Sequence, residues 1–166
     1  MRLTEFVNAD HIAQGLSTFT PEVAAFAAGR VMLTRMRELT EARQSFAFET
    51  TLATRSFAPW LQTLRESGYA CTLIFLALPT PDIAVERVRH RVLHGGHHVP
   101  EVVVRRRFTR GLRNLVQIYQ PLVDDWVVYD SSGPLPRVIA ESGPPEVIHD
   151  QPFYQALRAQ ARSESA

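Results

Sequence analysis

Two carboxylates and one block of arginines are the residues most able to do chemistry in this chain. Asp10 closes the run Phe6-Val7-Asn8-Ala9-Asp10, where a short apolar stretch meets a polar turn. Glu49 follows Phe46-Ala47-Phe48 and precedes Thr50-Thr51. If both runs are parallel strands, both acids stand at strand carboxyl ends, where open α/β sheets take their ligands. A carboxylate placed there accepts a hydroxyl proton or holds Mg²⁺ through water. The same positions suit an acid that only caps the following turn or helix, and position alone leaves both readings open.

The arginines are segregated. Residues 87–113 hold eight arginines against Glu101 alone, a net of +7, while the remainder has ten arginines against sixteen acids, a net of −6. Arg87, Arg91 and His94 recur at helical spacing, and Arg106, Arg110 and Arg113 repeat it on a second helix. Gly95-Gly96-His97-His98-Val99-Pro100 joins the two as a hairpin. Guanidinium groups match phosphate oxygens bidentately, and a glycine hinge lets such a hairpin close as a lid. A solvated helix face with structural ion pairs is the plainer reading, although only one acid lies inside the block to form such pairs.

Other reactive residues point to less. His94, His97 and His98 flank the Gly95-Gly96 break and share no helical turn, so a zinc site is not expected. Cys71 is the only cysteine, which excludes an intramolecular disulfide and a cysteine-based zinc site; within an apolar run it reads as a core residue. Ser17 and Ser56 have no triad-like context. All 18 basic residues are arginine, so Schiff-base chemistry and a lysine-dependent phosphate loop are excluded within these residues.

These residues need a scaffold to position them. The pattern predicts strands near 5–8, 45–49, 69–78, 126–130 and 137–141. Helices are predicted over 21–43, 57–67, 81–93, 100–119 and 153–162, with residues 163–166 fraying. Ala25, Gly29, Met32, Leu33, Met36 and Leu39 form the stripe of the first helix. Val104, Phe108, Leu112, Leu115 and Tyr119 form that of the fourth. The continuous apolar run 69–78 reads as a strand covered on both faces. Thr80 caps the third helix, Pro81 takes its first position and Asp82 faces its dipole. Strand and helix alternation gives an α/β fold with a mainly parallel sheet.

With 166 residues, 45% hydrophobic and 21% charged, the chain is expected to form one ordinary globular domain, or one domain with an appended helix. Its longest apolar run is half a membrane span, so no membrane association is expected. Met1 to Asp10 holds no signal-peptide core, and a cytoplasmic protein is expected. One local cationic block suggests a small anionic ligand rather than a nucleic acid.

Taken together, five segments resemble the zeta-toxin-like P-loop kinase family, in its bacterial branch of predicted ATPases. They are Phe6-Val7-Asn8-Ala9-Asp10, Phe46-Ala47-Phe48-Glu49-Thr50-Thr51, Gly95-Gly96-His97-x-Val99-Pro100, Arg105-Arg106-Arg107-x-x-Arg110-Gly111-Leu112-x-Asn114-Leu115 and Tyr129-Asp130-x-Ser132. The resemblance covers residues 5–141. It implies a three-layer α/β, nucleotide-kinase-like fold and transfer of the ATP γ-phosphate to a small-molecule hydroxyl. In zeta toxins the acceptor is a UDP-activated amino sugar. The resemblance makes Asp10 the catalytic base, and Glu49 an acid near substrate and Mg²⁺. Asn8, Thr50 and Thr51 fall near the acceptor. Arg106 and Arg110 become catalytic lid residues, with Arg91, Arg105 and Arg107 holding phosphates. ATP and Mg²⁺ are the implied cofactors, and an antitoxin protein an implied partner. The implied kinase domain spans 1–150, with its lid at 81–119 and a terminal helix and tail at 151–166.

The family begins with a strand and a G-x-x-x-x-G-K-[ST] loop, and neither precedes Asn8 here. The expected domain therefore lacks its first strand and phosphate loop, through a shortened start, a decayed gene or a binding role without catalysis. Such a chain is expected to be inactive alone. The alternative function is a non-catalytic module that binds an anion, a nucleotide sugar or a partner. Ser131 also stands where that branch tends to have asparagine. The strands matching 45–49 and 69–78 flank the missing strand in the family. They are expected here either to pair directly or to leave a slot between them.

Overall fold

A computed structural model describes residues 5–16, 21–96 and 98–162, apart from the side chains of residues 14, 16 and 21–26. Ser17, His97, the tail 163–166 and the side chain of Ala25 lie outside the described residues. The chain divides into two compact units, Met1–Thr50 and Thr51–Ala166.

The first unit is a parallel strand pair with two helices. Strand β1 (Glu5–Val7) leads into helix α1 (Ala9–Leu16), then α2 (Pro21–Glu41) and β2 (Phe46–Phe48). Glu5 lies opposite Phe46 and Val7 opposite Phe48, both strands running the same way. Ala28, Met32, Met36 and Leu39 are buried along α2 with Val7 of β1. Met32, Met36 and Leu39 match the predicted stripe, but Leu33 is exposed and Ala28, not Gly29, completes the buried line. Helix α1 was not predicted. Its start is marked by Asn8, whose side-chain oxygen accepts the N–H of Asp10 at 2.7 Å and of His11 at 3.1 Å, an N-cap.

The second unit carries a four-stranded sheet in the order β3-β4-β5-β6. Its elements are α3 (Phe57–Glu66), β3 (Thr72–Ala77), α4 (Pro81–Leu93), α5 (Glu101–Asn114), a π-turn (Leu115–Tyr119), α6 (Gln120–Leu122), β4 (Asp125–Asp130), β5 (Arg137–Glu141), β6 (Val147–Ile148) and α7 (Gln151–Arg162). β3 and β4 are parallel; β4 with β5 and β5 with β6 are antiparallel. The predicted mainly parallel sheet thus gains an antiparallel end. The physical reason is length: a parallel crossover needs a dozen or more residues, and only residues 131–136 separate β4 from β5.

The caps of the second unit follow the sequence. Gly68 ends α3 at φ +92°. Thr80 accepts the N–H of Ile83 at 3.4 Å, with Pro81 in the first turn of α4. The core joins Leu52, Leu112, Leu115, Tyr119, Val128, Ile139, Tyr154 and Leu157. The predicted apolar face of the 100–119 segment is therefore the buried one, although that segment passes from α-helix into a π-turn.

β3 is not covered on both faces: Ile74 is 64% and Leu76 57% exposed. Among the described residues β2 pairs only with β1 and β3 only with β4. No helix of the described residues is long and apolar enough to cross a membrane.

Candidate functional site

In the first unit, the parallel register places Asp10 and Glu49 just beyond the carboxyl ends of β1 and β2, at one edge of the pair. Asn8 ties that edge together. Its Oδ1 caps α1, and its Nδ2 donates to Glu49 Oε2 at 2.5 Å. The Glu49 N–H donates to the Val7 carbonyl at 3.3 Å and extends the strand register. The cap of α1 is Asn8. Asp10 sits instead in the first turn of α1, where the helix dipole favours a negative charge. Both acids are exposed.

In the second unit, the arginine block divides by duty. Arg105 donates to Glu101 at 2.8 Å and to Asp82 at 2.6 Å, which ties α5 to the start of α4. These acids push its pKa up, the Glu101 hydrogen bond most strongly. Arg89 reaches Glu101 at 3.1 Å and Glu86 at 3.6 Å. The scarcity of acids inside the block therefore did not prevent pairing, because Glu101 is shared and Asp82 and Glu86 lie just outside it. Arg87 donates from both terminal nitrogens to Ser131, to its hydroxyl at 2.9 Å and to its carbonyl. That locks α4 to the residue following β4 and gives Ser131, buried at that position, a partner.

Arg106, Arg107 and Arg110 are exposed on α5 and make no ion pair among the described residues. Of the expected lid residues, these three keep a guanidinium available for an anion. Arg91 is exposed near the end of α4, and the hinge beyond it is set by two glycines. Gly95 adopts φ +84°, and a Cβ on Gly96 would lie 2.5 Å from Arg91 Cγ and 2.8 Å from its carbonyl oxygen. Among the described residues no group of three or more His, Cys, Asp or Glu is placed to hold an ion. His94 instead stacks on His90, with ring centroids 5.8 Å apart.

Thr50 and Thr51, expected near the acceptor, follow Glu49 directly. Thr51 Oγ1 accepts the N–H of Ala53 at 3.4 Å, and its carbonyl oxygen would lie 2.7 Å from a Cβ on Gly111. Sequence reasoning passed over two side chains that contact the following residues. Asn114 donates to the Leu52 carbonyl at 2.7 Å, and Tyr119 donates to the Thr54 carbonyl at 2.7 Å. A buried asparagine in an otherwise apolar helical face was the available signal.

The family model described as zeta toxin matches residues 8–135. An uncharacterized protein of Haemophilus influenzae is 28% identical over 102 residues, covering 61% of this chain and 73% of its own. A solved structure from the PezAT chromosomal toxin–antitoxin system of the human pathogen Streptococcus pneumoniae superposes with a TM-score of 0.56 at 14% identity. That superposition takes in 93% of this chain and 72% of the other, and it establishes the shared α/β fold. With the asparagine-tied acids, the glycine hinge and the arginine helix all inside or adjoining the matched span, the chain belongs to the zeta toxin family.

Proposed function

We propose that the chain serves the phosphotransfer chemistry of its family on the acceptor side. It binds a small-molecule hydroxyl acceptor, a UDP-activated amino sugar by the family resemblance, and the 166 residues alone turn over no ATP. The observation that carries the reading is the Asn8 bridge, which fixes Glu49 and the start of the Asp10 helix through one side chain. In this reading Asp10 accepts a hydrogen bond from the acceptor hydroxyl, the position from which the family's catalytic base would act. Thr50 and Thr51 line the acceptor, Arg106 and Arg110 neutralise phosphate charge, and Arg91 and Arg107 contribute to phosphate binding.

The residues present fit Mg²⁺ and do not fit ATP. Mg²⁺ is held by one or two carboxylates with waters and substrate phosphates completing its shell. Glu49, exposed and with one oxygen on Asn8, supplies such a ligand. When bound, Mg²⁺ would supply charge neutralisation beside phosphate oxygens. For ATP the donor set fails: the 166 residues contain no lysine and no G-x-x-x-x-G-K-[ST] pattern. No transfer step is assigned to these residues acting on ATP. A cytoplasmic setting and an antitoxin-type partner belong to the same reading, the latter supported by the toxin–antitoxin origin of the solved structure of like fold.

Calorimetry on the full chain tests this, with Mg-ATP and UDP-N-acetylglucosamine as separate titrants and ATP consumption followed in parallel. Binding of the nucleotide sugar without ATP turnover is expected. No nucleotide-sugar binding would remove the acceptor role, and micromolar Mg-ATP affinity would remove the argument from the missing lysine and loop.

A further inference from the structure

One face of the helical segment 111–119 touches residues 51–54 in order. Gly111 lies against the Thr51 carbonyl, Asn114 bonds the Leu52 carbonyl, and Tyr119 bonds the Thr54 carbonyl. The π-turn makes the last two compatible. In an α-helix, residues five apart lie about 140° round the axis from each other. In a π-turn the hydrogen bond runs from i to i+5, which stacks such residues, and the Gln120 N–H to Leu115 carbonyl bond has that spacing. Asn114 and Tyr119 are five apart and reach the same short segment.

The segment they hold is not one that relaxes into this shape unaided. Leu52 adopts φ +54°, a left-handed conformation uncommon for a residue with a branched side chain, while only 4% exposed. Surrounding structure must over-determine such a residue, and strained backbone of this kind gathers at functional sites. Asn114 is 2% exposed and Tyr119 1%, so neither side chain is available to contact a ligand itself.

We infer that Asn114 and Tyr119 are positioning residues that set the backbone of residues 51–54 and so present Thr51 to the acceptor. The inference rests on the acceptor reading above. The donor side chains are in place before any ligand arrives, and they act through backbone carbonyls.

The test uses Tyr119→Phe and Asn114→Asp in the full chain. Tyr119→Phe keeps the buried ring and removes only the hydroxyl. Asn114→Asp replaces the amide donor by a carboxyl group, which repels the Leu52 carbonyl when ionised. Three quantities are read: the melting temperature, the rate of tryptic cleavage after exposed Arg55 by mass spectrometry, and the calorimetric affinity for UDP-N-acetylglucosamine. Cleavage after Arg55 is expected to quicken in both variants. Affinity is expected to fall about fivefold in Tyr119→Phe, the size of one neutral hydrogen bond, with the melting temperature lowered by no more than about 4 °C. Unchanged cleavage in Tyr119→Phe overturns the clamp. Faster cleavage with unchanged affinity overturns the positioning role while the acceptor reading stands. A wild-type chain that binds no nucleotide sugar overturns the acceptor reading and the positioning role with it, and that result appears before any variant is compared. If Asn114→Asp fails to fold, Tyr119→Phe alone decides.

Discussion

Asn8 holds a helix end and a carboxylate with one side chain, so substitutions can separate its duties. Asn8→Ser keeps a capping oxygen and gives up the donor to Glu49, whereas Asn8→Ala loses both. Loss of the cap costs about 1 kcal/mol. Thermal denaturation should therefore place Asn8→Ala below Asn8→Ser, and equal melting points would show that the cap contributes nothing. Arg65 and Asp124 form a second residue-scale device. Arg65 Nε and Nη2 donate to one oxygen of Asp124 at 3.0 and 2.7 Å, and the Cys71 N–H donates to the other at 2.7 Å. The Arg65 hydrogen bonds, then that of Cys71, hold the Asp124 carboxyl below the usual carboxylate range. A depressed native value means stability that is present above the unfolded pKa of about 3.9 and lost as pH falls through the native value. Asp124→Asn should lower the melting temperature at pH 7, and the difference from wild type should close as pH falls below about 4. A difference that stays constant with pH would assign the loss to packing.

At the scale of elements, most strands and helices were legible, and the failures have distinct causes. The Thr80-Pro81-Asp82 start, the Gly68 stop and the Gly95-Gly96 break are local chemistry, and local chemistry survives into the fold. Helix α1 was missed although Asn8 carries a cap signature, because eight residues give too few repeats for a periodic pattern. The π-turn left no trace, since Leu115 and Tyr119 fit an α-helical stripe equally well. β3 misled for a different reason: alternation of burial is invisible when both faces are apolar, and Ile74 and Leu76 are exposed isoleucine and leucine. Among the described residues β3 also has a ladder on one side only. An apolar strand with an open edge invites pairing between molecules. Replacing Ile74 and Leu76 by threonine should reduce self-association in sedimentation velocity while stability changes by no more than about 0.5 kcal/mol, as for other exposed sites. A double variant that loses its folded signal would show that these side chains are packed.

For the whole molecule, the two units differ in how much core they own. The large buried cluster, from Leu52 to Ala161, lies wholly within Thr51–Ala166. Met1–Thr50 relies on Val7, Ala28, Met32, Met36 and Leu39 among its described residues. Cooperative units of unequal core open at unequal free energies. Hydrogen exchange should show amides of β4, β5 and α7 protected longest, with those of β1, α1 and β2 exchanging orders of magnitude sooner. Uniform protection across the chain would mean that the units unfold as one. The acids of the candidate site are thus carried by the unit with the smaller core, and the free arginines by the unit with the larger. Asp10, Glu49 and the arginine block were legible as residues, because charge and spacing are written in sequence. Which arginines are spent on Glu101, Asp82 and Ser131 was not, because those pairings depend on how α4 and α5 pack.

Surface loops ordinarily absorb insertions and deletions, which is where homologous chains come to differ in length. The segment after Glu49 cannot. Gly111, Asn114 and Tyr119 each answer one residue of it, like teeth meeting a rack. One residue added between Leu52 and Thr54 would turn the Thr54 carbonyl away from its hydroxyl donor, and one removed would pull Leu52 out of the core.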